Sequence, residues 1–134
     1  MHTWWQFLSE YPTCFRYVSS VVAVLIGVQP NNLQCNIRNR LCNLCTGRWR
    51  DDAKHILLGC EALAQARHIH YNEILTAMPF AMRHEFNRMT LENKLYFIIS
   101  GLQCDYNKEW AHIYKAMAKF VYELYRKRKL LYQD

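Results

Sequence analysis

The chain has 134 residues, 51% of them hydrophobic, with 17 Lys and Arg against 11 Asp and Glu for a net charge of +6 with His neutral. That length fits one domain or one module of a larger protein, and the apolar and aromatic content supplies a packed core. Four glycines and three prolines leave few breakers, which favours helices with short connections, and the positive excess is consistent with a polyanionic partner.

The segment opens with Trp4-Trp5, Phe7 and Tyr11-Pro12. After Pro12, residues 14–28 read as one buried helix. Its unbroken apolar run is far short of the roughly 20 residues that a membrane span needs. A signal peptide fits poorly, because Glu10 precedes the run and no small-x-small cleavage pattern follows it. Gly27 and Pro30-Asn31-Asn32 turn the chain into residues 33–41, which carry Arg38 and Arg40.

Residues 42–60, CNLCTGRWRDDAKHILLGC, hold four metal-type donors in the pattern C-x2-C-x9-H-x4-C: Cys42, Cys45, His55 and Cys60. The Cys-x2-Cys pair presents two thiolates from a single turn, and His55 with Cys60 closes a tetrahedron from the far side of a loop. Three sulfurs and one imidazole suit a closed, four-coordinate structural zinc site, with no position left for a catalytic water. His55 and Cys60 are five apart, about 140° out of register on an ideal helix. Gly59 is therefore expected to end the helix in the left-handed conformation and turn Cys60 back. Asp51 or Asp52 is expected to cap that helix or to accept the imidazole N–H facing away from the metal. Ile56, Leu57 and Leu58 supply an apolar cover. The same arrangement argues for a reducing compartment over a disulfide framework, and leaves Cys14, Cys35 and Cys104 as buried free thiols. Arg48, Trp49 and Arg50 combine an aromatic with flanking arginines. Trp49 either stacks on an unpaired base while the arginines meet phosphates, or packs on the metal core.

Residues 60–77 form the next expected helix, ended by Pro79. His68 and His70 lie two apart on it, about 200° on a helix, and read as surface residues. His84 and His112 carry no partner motif. Thr90 is a credible N-cap for a helix over 91–99 that stops at Ser100-Gly101. The last helix is expected to be capped by Asp105, with Trp110, Ile113, Tyr114, Met117, Val121, Leu124 and Tyr125 forming its apolar stripe. It runs out into Arg126, Lys127, Arg128 and Lys129, four like charges that contact phosphate, serve as a nuclear address or favourably cap a helix C-terminus.

The C-x2-C, acidic pair and H-x-L-x-x-C segment resembles the zinc-binding (CCHC) segment near the C-terminus of non-LTR (LINE-type) retrotransposon reverse transcriptases. Trp4-Trp5, the turn from Gly27 to Pro30, Ala77-Met78-Pro79, the run near Tyr96, Ser100-Gly101-Leu102 and Phe120-Val121-Tyr122 are similar to the same family. The Cys45–His55 gap of nine residues exceeds the family's usual seven or eight, and neither a Tyr/Phe-x-Asp-Asp polymerase pair nor an endonuclease motif is present. The expectation is a mainly α single module over residues 1–134: an N-terminal helical part to 41, a zinc loop over 42–60 and C-terminal helices from 61. The resemblance implies an intracellular (nuclear or cytoplasmic), non-enzymatic role with zinc as cofactor. Its partners would be RNA or single-stranded DNA and the parent reverse transcriptase domains, with no membrane and no small-molecule substrate. A zinc-stapled protein-interaction module is the main alternative. A small metal-dependent nuclease would need a histidine that is not already a structural ligand.

Overall fold

Residues 2–26, 41–45 and 49–132 are described by the computed structural model. Six α-helices carry the fold: α1 (Thr3–Glu10), α2 (Phe15–Leu25), α3 (Ala64–Ala77), α4 (Phe80–Arg88), α5 (Leu91–Ile99) and α6 (Ala111–Tyr132). Among the described residues β pairing is limited to an isolated antiparallel bridge between Leu41 and Arg50. The expected turn at Gly27 to Pro30, Cys35, Arg38, Arg40 and Arg48 lie outside the described residues.

α6 is the central post. Its 22 residues bury Ile113, Tyr114, Met117, Phe120, Val121, Leu124 and Tyr125, the repeat of an amphipathic helix, and α2 and α3 pack along it. At the N-terminal end, His2 caps α1 by accepting from the Trp4 amide at 3.1 Å. Trp4 is fully buried, and its indole N–H donates to the Ile99 carbonyl at 2.7 Å, so α1 is tied to the end of α5. Trp4 and Phe7 meet Tyr114 of α6 at 6.0 and 5.8 Å between ring centroids. Of residues 14–28, which read as one buried helix, α2 covers Phe15–Leu25 and buries Val18 and Val21 against this post. Cys14 is buried in the 3-10 turn before it, Phe15 and Ile26 are exposed, and residues 27 and 28 lie outside the described residues. Among the described residues no helix is long and apolar enough to cross a membrane.

The helix ends follow local chemistry. Thr90 caps α5, its Oγ1 accepting from the Asn93 amide at 3.2 Å. At the other end Gly101 takes φ +74°, with the Leu102 amide donating to Phe97 O (2.9 Å) and the Gly101 amide to Ile98 O (3.4 Å). That pair of bonds is a Schellman motif, and the buried Leu102 supplies its apolar contact. α3 stops at Ala77 because Met78, ahead of Pro79, is extended. Arg83 then donates to the carbonyls of Leu75 (2.8 Å) and Met78 (3.1 Å).

Two expectations need correction, and one helix was not expected. The cap near α6 is Asn107, whose side chain accepts from the Glu109 amide at 3.0 Å in the 3-10 turn Lys108–Trp110, and the exposed Asp105 lies upstream of that entry. Cys104 is exposed rather than buried, while Cys14 is buried. α4 has no counterpart in the sequence reading, because Phe86 alone among its residues is buried and no stripe announces it.

Candidate metal centre

The two ends of the donor stretch are brought together by backbone. The Leu41–Arg50 bridge and the Cys42 amide donating to Trp49 O at 2.8 Å close a knuckle that carries Cys42 and Cys45 on one limb. On the other limb a helical turn begins at Ala53 and runs as a π-helix over His55–Gly59. Asp52 caps this turn, its Oδ1 accepting from the His55 amide at 2.9 Å. The π register solves the spacing problem differently from the expected glycine stop. The Cys60 amide donates to the His55 carbonyl, five residues back, at 2.6 Å. One wide turn therefore sets the two ligands on the same side without a left-handed residue. Gly59 has no positive φ among the described residues, so its expected role is corrected. Its lack of a side chain leaves space beside His55, since a Cβ there would stand 3.4 Å from Nδ1.

The four donor atoms of Cys42, Cys45, His55 and Cys60 all lie within 4.8 Å of one another and could hold a metal ion. Cys42 Sγ and Cys60 Sγ are 3.8 Å apart, and Cys45 Sγ stands 3.4 Å from His55 Nε2. Tetrahedral coordination with metal–sulfur bonds of about 2.3 Å and metal–nitrogen bonds of about 2.0 Å requires donor separations of roughly 3.5–3.8 Å. These two separations are close to that geometry, and an ion held by all four residues would take every coordination position from protein. Cys42, His55 and Cys60 are buried and Cys45 is half-buried. Burial holds the His55 imidazole below its ordinary pKa, against the pull of Asp51 and Asp52, which keeps the ring in the neutral form that ligates. Burial, and then the neighbouring Cys42 and Cys45 thiols, push Cys60 up to about 11. A divalent cation reverses that balance, because it favours the thiolate directly.

Two arginines distant in sequence, Arg67 and Arg128, hold this centre. Arg67 of α3 donates from Nε to Leu57 O (2.9 Å) and from Nη2 to Cys60 O (2.7 Å), satisfying carbonyls at the end of the π turn. Arg128 is not a solvent-facing member of the tail run. It is 1% exposed and forms a buried ion pair with Asp51, also 1% exposed, through Nε at 3.2 Å and through Nη2. Its guanidinium also lies 4.6 Å from the Tyr132 ring centroid, and the Tyr132 hydroxyl accepts from the Asn43 amide at 3.3 Å. The end of α6 is thus the buttress of the knuckle. Asp51 anchors and Asp52 caps, a division of labour the sequence left open.

The remaining candidates are distributed over the surface. Trp49 is 59% exposed, and its indole lies nearly parallel to the His55 ring, at 18° and 6.2 Å between centroids. Arg50 is exposed. Arg126 is exposed and pairs with Glu123 at 2.8 Å, and Lys127 and Lys129 are exposed. His68 is exposed; His70, half-buried, meets Glu73 at 2.5 Å, and neither joins the metal-type cluster. Arg67 had a signal, since it repeats the helical phase of Leu63 and Ile74. So had Arg128, which continues the stripe of Val121, Leu124 and Tyr125.

No family model, curated protein or solved structure matches this chain.

Proposed function

We propose that this chain is a zinc-binding accessory module of a non-LTR retrotransposon reverse transcriptase, one that helps to hold template RNA or target DNA and contributes no catalytic residue. The observation that carries the reading is the closed donor set: Cys42, Cys45, His55 and Cys60 converge within 4.8 Å. Zinc is the ion best suited to three thiolates and an imidazole in tetrahedral array. The ligand spacing and flanking residues that resemble the family supply the rest of the argument. A role in binding is supported by the charge of +6 and by Trp49 and Arg50 standing exposed beside the centre.

Elemental analysis and native mass spectrometry of reduced protein test the metal. One zinc per chain is expected, with Cys45→Ala losing it and melting at lower temperature. Protein free of zinc, or a Cys45→Ala variant with unchanged metal and melting, overturns the reading. Titration with single-stranded RNA and DNA tests the partner. Affinity should fall steeply with salt, each phosphate contact adding about 0.7 to the log–log slope.

A second reading has its own observation. Phe80 at the start of α4 is 79% exposed and Phe15 at the start of α2 is 64% exposed. A zinc-stapled module that docks on a protein, the parent polymerase included, would use such residues. Absence of nucleic-acid binding at low salt selects it.

A further inference from the structure

Trp49 forms one wall of an open cavity of about 310 Å³, with Lys54, His55 and Leu91 among its other walls. Leu91, 48% exposed, is also a wall of a second cavity of about 400 Å³, whose lining includes His68, Tyr71 and Lys94. The two share Leu91 as a wall, and this groove is lined from the knuckle, the start of α5 and α3. Neither compartment was legible in the sequence, because Trp49 and Lys54 lie far along the chain from Leu91 and Lys94 of α5.

The Trp49 cavity carries charges of both signs, Arg50 and Lys54 with Asp52 and Glu61. The Trp49 backbone is held by its carbonyl, which accepts from the Cys42 amide, and its indole lies nearly parallel to the His55 ring. Preorganisation of an exposed aromatic lowers the entropy that binding must overcome. Lys54, in the Trp49 compartment, makes an exposed ion pair with Glu92 at 3.2 Å. Such pairs contribute little, and a phosphate can replace the carboxylate. Lys94, in the other compartment, is held over the Tyr71 and Phe86 rings at 5.5 and 5.7 Å from their centroids. An exposed aromatic with ammonium groups nearby is the pattern that takes an unpaired base and its adjoining backbone. Each compartment lies at or near the lower end, about 300 Å³, of ligand sites, the scale of one nucleotide rather than a duplex.

We infer that this groove binds a short single-stranded nucleic-acid segment, one base stacking on Trp49 and the following phosphates meeting Lys54 and Lys94. The inference rests on the nucleic-acid reading above and moves the contact away from the α6 tail, whose Arg128 is buried and whose Arg126 is paired.

Fluorescence anisotropy with labelled decamers of uridine and of deoxythymidine decides it, across a salt series. Trp49→Ala should weaken binding about 5- to 150-fold with an unchanged salt slope. Trp49→Phe should retain most of the affinity. Lys54→Gln with Lys94→Gln should lower the slope by about 1.4, two phosphate contacts at 0.7 each. Arg126→Ala with Lys127→Ala and Lys129→Ala should leave both affinity and slope near wild type. Metal content and far-ultraviolet circular dichroism confirm that each variant is folded; if Trp49→Ala is not, the Lys pair and Trp49→Phe decide. Wild type that binds, with the groove variants unchanged or the tail variant abolishing binding, overturns the groove and leaves the nucleic-acid reading standing. Wild type that binds neither decamer at low salt overturns both.

Discussion

Arg126 and Arg128 stand two residues apart in one basic run and meet opposite environments. Arg126 faces solvent with Glu123, three residues back, whereas Arg128 is buried against Asp51. An exposed pair at that spacing contributes a few tenths of a kcal/mol, and Arg126→Ala should change stability by less than about 0.5 kcal/mol. Removing one member of a buried pair leaves an uncompensated charge, so Arg128→Ala should cost about 3–5 kcal/mol. Asp51→Asn should fall in the same range. Urea unfolding of the three variants measures this, and an Arg128→Ala as stable as Arg126→Ala would refute the buttress. The Arg128 Nη1 atom has no hydrogen-bond partner among the described residues, so the pair is not ideally satisfied. Replacing both partners together by apolar residues should accordingly cost less than either single change.

At the scale of elements, the two glycines that close helical segments do so by different means. Gly101 occupies the left-handed region at φ +74°, and a Cβ there would lie 2.8 Å from Thr3 Cγ2 and 3.1 Å from Thr3 Cβ. Both the backbone and the α1–α5 junction oppose a side chain. Gly101→Ala should destabilise by more than about 1 kcal/mol. Gly59 lies in the π turn, without positive φ, and its nearest obstacle is His55 Nδ1 at 3.4 Å. Gly59→Ala should therefore be tolerated, with a change below about 1 kcal/mol and metal content retained. Thermal melts of the two variants side by side check the contrast. An equal loss in both would mean that the π turn needs a glycine backbone after all. Arg67 belongs to this scale too, because one side chain of α3 satisfies the carbonyls that the irregular turn leaves open.

Across the whole molecule, the candidate centre lies where three separate regions meet: the knuckle, the start of α3 and the end of α6. A bound ion therefore stabilises more than its own loop. Structural zinc typically contributes roughly 10–16 kcal/mol of apparent binding energy in small modules, much of which appears as folding energy. Chelation of reduced protein should lower the melting temperature by well over about 10 °C and expose Cys42, Cys45 and Cys60 to thiol reagents. The α6 core of Ile113, Met117, Phe120, Val121 and Leu124 buries enough apolar surface that helix content should persist in part. Unchanged melting after chelation would show that no metal supports the fold.

The sequence by itself determined the four donors, the mainly helical class, the Thr90 cap and the Ser100-Gly101 stop. Each of these rests on chemistry read within a few residues or on a helical repeat. The amphipathic stripe of α6 was legible for the same reason, while α4, burying Phe86 alone, was not. Tertiary structure decided what depends on distant partners. That Asp51 answers Arg128 across 77 positions, and that Arg67 reaches back to Leu57 and Cys60, follows from how α3 and α6 pack around the knuckle. The π register is of the same kind, since local propensity favours an ordinary α turn over His55–Gly59 and a wide turn persists where surrounding packing and hydrogen bonds hold it. Charge runs and ligand spacings are properties of the chain, but whether an arginine faces solvent or a buried carboxylate is a property of the fold, because desolvation is set by what packs around the group.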